Sequence, residues 1–181
     1  MRATVLSRRY AQAFADVAER SGKLEVVRDE LNALAECFEA VPEFRTFAVA
    51  GRKSRQDKKE TLGRMSEEMG LSELTTRLLL YLVQKRRMAI LPSLAESLSA
   101  EVDRRLGIAR GRVTSATPLS DQQRQDLVRK LQRITGKTID LTEETDGSLI
   151  AGFQVRLDGT FFDGSLEGQL ERIAERIAHG G

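Results

Sequence analysis

The feature that most constrains the fold is a change of hydrophobic period at Gly107. Up to Leu106, apolar residues recur at intervals of three and four, the spacing of helices that bury one face. After Gly107, segments alternate apolar and polar at every second residue, as half-buried strands do. The change predicts two domains without a long linker: residues 1–106 as an all-α six-helix bundle, and residues 107–181 as a small α+β domain.

In the first part, Tyr10, Ala13, Phe14, Val17 and Ala18 form one apolar stripe, predicting a helix from Ser7 to Arg20 that Gly22 ends. Leu24, Val27, Leu31, Leu34, Phe38 and Val41 follow at heptad spacing, too briefly for a coiled coil, and read as one helix of an antiparallel bundle. Pro42 stops it and starts a short helix with Phe44, Phe47 and Val49. A charged loop containing Arg52, Lys53 and Arg55 leads to a helix that is expected to bury Leu62, Met65 and Met69, with Ser54 and Asp57 as its cap. Ser72 opens the next helix, whose run Leu78 to Val83 is apolar nearly all round. Such a helix is central in its bundle or leaves one side for a partner. Arg86-Arg87 marks a corner, and Pro92 sits in the first turn of a sixth helix carrying Leu91, Leu94, Leu98 and Val102.

The second part reads as β-α-β-β-α. Ile108–Ala116 is a strand ended by Pro118, and Leu119, Ser120 and Gln123 supply a hydrophobic staple and capping box. The helix they start is expected to bury Leu127, Val128, Leu131 and Ile134 before Gly136 closes it. Lys137–Leu141 is a short strand. A longer one then places Leu149, Ala151, Phe153, Val155 and Leu157 on one side. Asp158-Gly159 predicts a two-residue hairpin of type I′ into a short strand, because that turn needs positive φ at both central positions. Ser165 then caps a last helix, with Leu166, Leu170, Ile173 and Ile177 on one face.

Several chemistries are excluded on the same residues. The longest apolar run, Leu78 to Val83, is far short of the roughly 20 residues that a membrane span requires, so any work at a membrane depends on a partner. The single Cys37 rules out a disulfide framework or thiol-rich metal site, and the lone His179 has no nucleophile to serve. Gly136-Lys137-Thr138 resembles the tail of a phosphate-binding loop. The glycine required five residues earlier is Leu131, however, and the tripeptide follows a helix rather than preceding one. Asp146, Asp158 and Asp163 each precede glycine and read as turn formers, not calcium ligands. No catalytic, cofactor or metal residues are therefore expected. The net charge of +2 does not point to a polyanion partner. A helical RNA-binding or regulatory protein is the alternative reading, and it rests on Arg52, Lys53, Arg55, Lys58 and Lys59. Asp57 and Glu60 interleave with that stretch, and no aromatics are available there to stack on bases.

Three separated segments resemble one family. They are RRYAQAFADVAE, with Tyr10, Ala11, Ala13 and Phe14; LLLYLVQKRRMAILPSL, with a basic corner at Arg87; and VTSATPLSDQQ together with DGSLIAGFQVRLDGTFFDGSLEGQLERI. These are similar to the delta subunit of F-type ATP synthases, the mitochondrial oligomycin-sensitivity-conferring protein, over nearly the whole chain. Arg86 departs from it, since many members have glycine there. The resemblance implies a non-catalytic stator role without cofactors, one copy per complex. It implies a peripheral location on the cytoplasmic face of the energy-coupling membrane, with no direct membrane insertion and no nucleic acid. The helical domain would hold the N-termini of alpha subunits in a groove of its first and fifth helices, at Tyr10, Ala13, Phe14, Arg77, Leu78 and Tyr81. The α+β domain would hold the b subunits of the peripheral stalk, through Leu149, Phe153, Val155, Leu166 and Leu170.

Overall fold

The computed structural model of the chain describes residues 4–49, 55–149 and 152–163. The chain divides into two compact units, Met1–Val102 and Asp103–Gly181, each with its own hydrophobic core. The division falls inside the helix that ends at Leu106.

The first unit is helical: α1 (Val5–Arg20), α2 (Leu24–Ala40), α3 (Pro42–Val49), α4 (Arg55–Glu68), α5 (Glu73–Gln84), one 3-10 turn at Met88–Ile90, and α6 (Leu91–Leu106). α1 starts two residues before the position that apolar spacing predicts, because the cap is polar. The Thr4 hydroxyl accepts the Ser7 N–H at 3.1 Å, and the Ser7 hydroxyl accepts the Thr4 N–H at 2.9 Å. Ser7 is also fully buried, where Ser97 of α6 donates to its hydroxyl at 3.3 Å. The cap is thus a packing contact as well.

Val27, Leu31 and Leu34 of α2, Leu62 of α4, Leu79 and Leu82 of α5, and Leu91, Leu94, Leu98 and Val102 of α6 are all wholly buried in one cluster. Each such side chain contributes about 2 kcal/mol by leaving water. Phe38 and Phe44 pack edge to face at 5.7 Å, which fixes α3 against the end of α2. The N-terminus of α5 is tied to α2 across the bundle. Glu30 accepts both the Ser72 N–H at 2.6 Å and the Ser72 hydroxyl at 2.7 Å. Met69, expected in the core, is instead 40% exposed, because α4 ends at Glu68 and Met69 belongs to the turn that follows it. Ser54, expected to cap α4, lies outside the described residues.

The second unit contains β1 (Ile108–Ser115), α7 (Asp121–Thr135), β2 (Thr138–Thr145), β3 (Phe153–Leu157) and β4 (Thr160–Asp163). They form one mixed sheet in the order β2-β1-β3-β4, with β2 parallel to β1 and the other pairs antiparallel. Ser120 and Gln123 form the expected capping box, and Gly136 closes α7 at φ 67°. One face of the sheet packs on α7: Ala109, Val113, Ile139, Leu141, Val155 and Leu157 meet Leu127 and Leu131. On the other face, cross-strand ion pairs join Arg110 to Asp140 at 2.6 Å and Arg112 to Glu144 at 2.5 Å.

Three expectations for this unit change, and the label β-α-β-β-α needs one more strand: the short strand expected after the hairpin pairs with β3 as β4. β2 continues past Leu141 to Thr145: its ladder with β1 persists to Ser115, although its second half is solvent-exposed. The long strand from Leu149 begins at Phe153 instead. Asp146 intervenes with a side-chain turn, accepting the Ser148 N–H at 2.9 Å, while its carbonyl accepts the Leu149 N–H at 3.2 Å. Ile134, expected in the core, is 68% exposed, because the α7 face that meets the sheet is the Leu127–Leu131 stripe. The helix expected from Ser165, with Leu166 and Leu170, lies outside the described residues.

The hairpin itself is as the sequence predicts, with φ 47° at Asp158 and 81° at Gly159 joining the Leu157–Thr160 pair. In the central strand, Gly111 lies opposite Leu157. A Cβ on Gly111 would stand 2.7 Å from the Arg156 carbonyl oxygen and 2.7 Å from Leu157 Cδ1. The first obstacle is backbone and cannot rotate away. Gly111→Ala is therefore expected to cost about 2 kcal/mol through overpacking, read as an earlier urea midpoint for the unit of residues 103–181. An unchanged midpoint would show that β1 and β3 separate without penalty.

Candidate functional site: a groove on the helical unit

α1 and α5 bury one side of themselves and leave between them an open groove of about 570 Å³. Its residues on α1 are Leu6, Arg9, Tyr10, Ala13, Phe14 and Val17, and facing them are Leu78, Tyr81 and Arg87. Helical geometry explains the α1 wall, since residues 6, 10, 13 and 17 recur at steps of four, three and four. The floor is continuous with the core: Phe14 is 9% and Leu78 is 7% exposed. The lips stand out, with Ala13 exposed, Val17 46% exposed and Tyr81 44% exposed. Tyr10 and Tyr81 meet across the groove, ring centroids 6.0 Å apart and tilted by 44°.

Five of the six sequence-predicted head-binding residues therefore come together: Tyr10, Ala13, Phe14, Leu78 and Tyr81. Arg77 does not join them. It lines a neighbouring depression with Gln56, Lys59, Leu80 and Tyr81, and it is paired with Glu73 at 2.5 Å. Leu6, Arg9, Val17 and Arg87 are groove residues that the sequence reading did not assign. Leu6 and Val17 were legible in the stripe already noted for Tyr10 and Ala13. Arg87 was not, because its place depends on how the chain turns after α5.

That turn is a Schellman motif, in which Arg86 N–H bonds Val83 O at 3.0 Å and Arg87 N–H bonds Leu82 O at 2.8 Å. The same pair of bonds ends α1 at Gly22 and α4 at Gly70, both at left-handed φ. Here the left-handed residue is Arg86, at φ 57°. Arg86, at the position where the resemblance implies glycine, thus takes a backbone conformation that glycine favours. The reversal brings the Arg87 guanidinium to the Tyr10 hydroxyl, which accepts a hydrogen bond from it. Lys85 Nζ stands 5.5 Å from the Tyr81 ring centroid, within cation–π range.

The basic stretch behind the RNA-binding alternative is weakened as a surface. Lys58 is 9% exposed, and its ammonium donates to the Ala48 carbonyl at 3.0 Å, capping the end of α3. Arg52 and Lys53 lie outside the described residues. In the second unit, Val155 is fully buried among Ala109, Val113 and Leu127, Phe153 is half-buried at the edge of that core, and Leu149 is half-buried in the turn after β2. The Ser148 hydroxyl, then the Ser148 N–H, hold the Asp146 carboxyl below its usual range, as the bonds of a side-chain turn should. Among the described residues, no group of three or more His, Cys, Asp or Glu could hold a metal ion. No helix among them is long and apolar enough to cross a membrane.

Comparison with known proteins meets this geometry. The family model described as ATP synthase delta (OSCP) subunit matches residues 6–177. The chain belongs to that family. ATP synthase subunit delta of Chlorobium phaeovibrioides is 35% identical over 180 residues, covering 98% of this chain and 97% of its own. The protein of the same name from Desulfotalea psychrophila is 30% identical, covering 98% of each. A chain in the cryo-EM structure of the Toxoplasma gondii mitochondrial ATP synthase hexamer superposes with a TM-score of 0.67 at 27% identity, covering 97% of this chain and 98% of that one. The chain is accordingly a non-catalytic stator subunit of an F-type ATP synthase.

The Arg86 corner yields a direct expectation. A left-handed non-glycine residue costs about 1 kcal/mol or slightly more, so Arg86→Gly should stabilise the helical unit by about 1 kcal/mol. Chemical denaturation followed at the Tyr10–Tyr81 pair would measure it. Loss of stability would mean that the arginine side chain makes a compensating contact.

Proposed function

We propose that the helical unit holds the N-terminal helical segments of alpha subunits in the α1–α5 groove, while the α/β unit holds the b subunits. One copy of the chain then links the catalytic head to the peripheral stalk, on the cytoplasmic face of the energy-coupling membrane. A rotary motor delivers torque only if its head is held still. A protein with two separate binding units serves that purpose without any catalytic group. The observation that carries this reading is the groove: its floor of Phe14 and Leu78 is apolar, its lips are Tyr10 and Tyr81, and Ala13 leaves room for a close backbone. That is the shape in which an amphipathic helix lays its apolar face, and the half-buried Tyr10 and the exposed Tyr81 are of the residue type that most often anchors such contacts.

For the α/β unit, Val155 supports the sheet from within, and Leu149 and Phe153 stand nearer its surface. Leu149 and Phe153, together with Leu166 and Leu170 on the C-terminal stretch, are the residues through which we place the b contact. The RNA-binding alternative loses a cation to the bundle interior at Lys58, and no feature among the described residues favours it.

The test is binding of a synthetic peptide copying the N-terminal segment of the cognate alpha subunit, measured by titration calorimetry on the full chain. Tyr10→Asp and Tyr81→Asp, each confirmed folded by circular dichroism, should weaken binding at least about tenfold, because each places a charge where an apolar surface must dehydrate. Wild-type affinity in both variants would sink the groove assignment. If neither the alpha peptide nor a peptide copying the C-terminal end of b bound the wild-type chain, the two-ended link itself would fall.

A further inference from the structure

We propose that Arg87, oriented by the Tyr10 hydroxyl, reads a carboxylate on the helix that docks in the α1–α5 groove. This rests on the groove reading above and adds the chemistry of the partner: an amphipathic helix with an acidic residue beside its apolar face.

Three observations carry it. Among the described residues, the charges that line the groove are of one sign, Arg9 and Arg87, with no acidic residue beside them. They are also at one end. Arg9 and Tyr10 come from the first half of α1, while Tyr81 closes the last turn of α5 and Arg87 follows it, with Lys85 near the Tyr81 ring. The remainder of the groove, from Ala13 and Phe14 to Val17 and Leu78, is uncharged. Finally, Arg87 differs from its neighbour Arg77. Arg77 is already neutralised by Glu73 at 2.5 Å, whereas the partner of Arg87 among the described residues is the uncharged Tyr10.

A guanidinium has five N–H donors in a fixed plane, so one bond to a tyrosine hydroxyl orients it and leaves donors for a second acceptor. A docking helix strips water from this end of the groove. An arginine left there without a counter-charge would oppose binding, and one met by a carboxylate would favour it and fix the helix's direction. An uncharged helix would fill the floor equally well but would leave the cationic end unmatched. Tyr10 is a positioning residue in this scheme as well as a wall of the groove.

The experiment uses the full chain and synthetic peptides copying the N-terminal segment of the cognate alpha subunit. One set is native, and in the others a single Asp or Glu is changed to Asn or Gln. Titration against wild type, Arg87→Gln and Tyr10→Phe gives a double-mutant cycle for each carboxylate. Arg87→Gln should weaken the native peptide about tenfold, equivalent to about 1.4 kcal/mol. One particular amide peptide should bind wild type equally weakly and lose nothing more on Arg87→Gln. Tyr10→Phe, which keeps the ring, should weaken the native peptide about threefold, with a smaller coupling to that same carboxylate. If Arg87→Gln binds the native peptide as wild type does, or if its loss adds independently to that of every amide peptide, the carboxylate reading is overturned. If Tyr10→Phe matches wild type while Arg87→Gln does not, the positioning role of Tyr10 is overturned. If wild type binds no peptide at all, it is the groove reading that falls.

Discussion

The helical unit depends on a demand placed on α5 from two sides. Leu79 and Leu82 must be wholly enclosed for the bundle to hold together, and they are. Yet the same two turns also present Leu78 as a floor and Tyr81 as a lip to solvent. A helix serves both ends only if its rotation and height are fixed, because a rotation by one residue's step, about 100°, would exchange Tyr81 for the core Leu82. The fixings lie at its ends. Glu30 holds the first turn through Ser72, and the left-handed Arg86 ends the last turn so that Arg87 reaches α1. The groove is a by-product of those two anchors.

The α/β unit is organised by β1, which has a parallel neighbour on one side and an antiparallel one on the other. Its α7 face is close-packed, and Gly111 lets β3 approach without a side chain intervening. Its other face is polar and tied by ion pairs between exposed groups. Those pairs set strand register more than they set stability, since solvent screens them. The two faces thus divide the work between cohesion and alignment.

Where burial decides structure, the sequence was legible. The stripes in α2 and α6 led directly to Val27, Leu31, Leu34, Leu94 and Leu98 in the core, and the stripe in α1 led to Tyr10, Ala13 and Phe14 in the groove. Backbone chemistry was legible wherever a residue type has few alternatives, as at Asp158-Gly159, Ser120 with Gln123, and Gly136. The misses share another cause. The end of β2 is held by its ladder with β1 rather than by apolar contacts, so no hydrophobic period marks it. The alternation from Leu149 to Leu157 was real as a pattern, but Asp146 commits its carboxylate and carbonyl to a turn, which delays the strand until Phe153. Lys58 looked like part of a basic surface because its type says nothing of direction, and Arg87 joined the groove only through the reversal at Arg86. Apolar periods predict which side is inside. They are silent on where a long cation points.

The contact between Ser7 and Ser97 has a consequence for the making of the protein. It joins the first turn of α1 to the middle of α6 across nearly the whole helical unit, and the core around it draws on residues from Ala11 to Val102. A growing chain therefore cannot close this bundle from its front end. α1 waits, with Phe14 and its neighbours uncovered, until α6 has left the ribosome. Among the described residues, the α/β core draws only on Ala109 and later positions, so its residues emerge after those of the first core. The order of synthesis thus presents the two sets of core residues one after the other, and the two described cores share no residue.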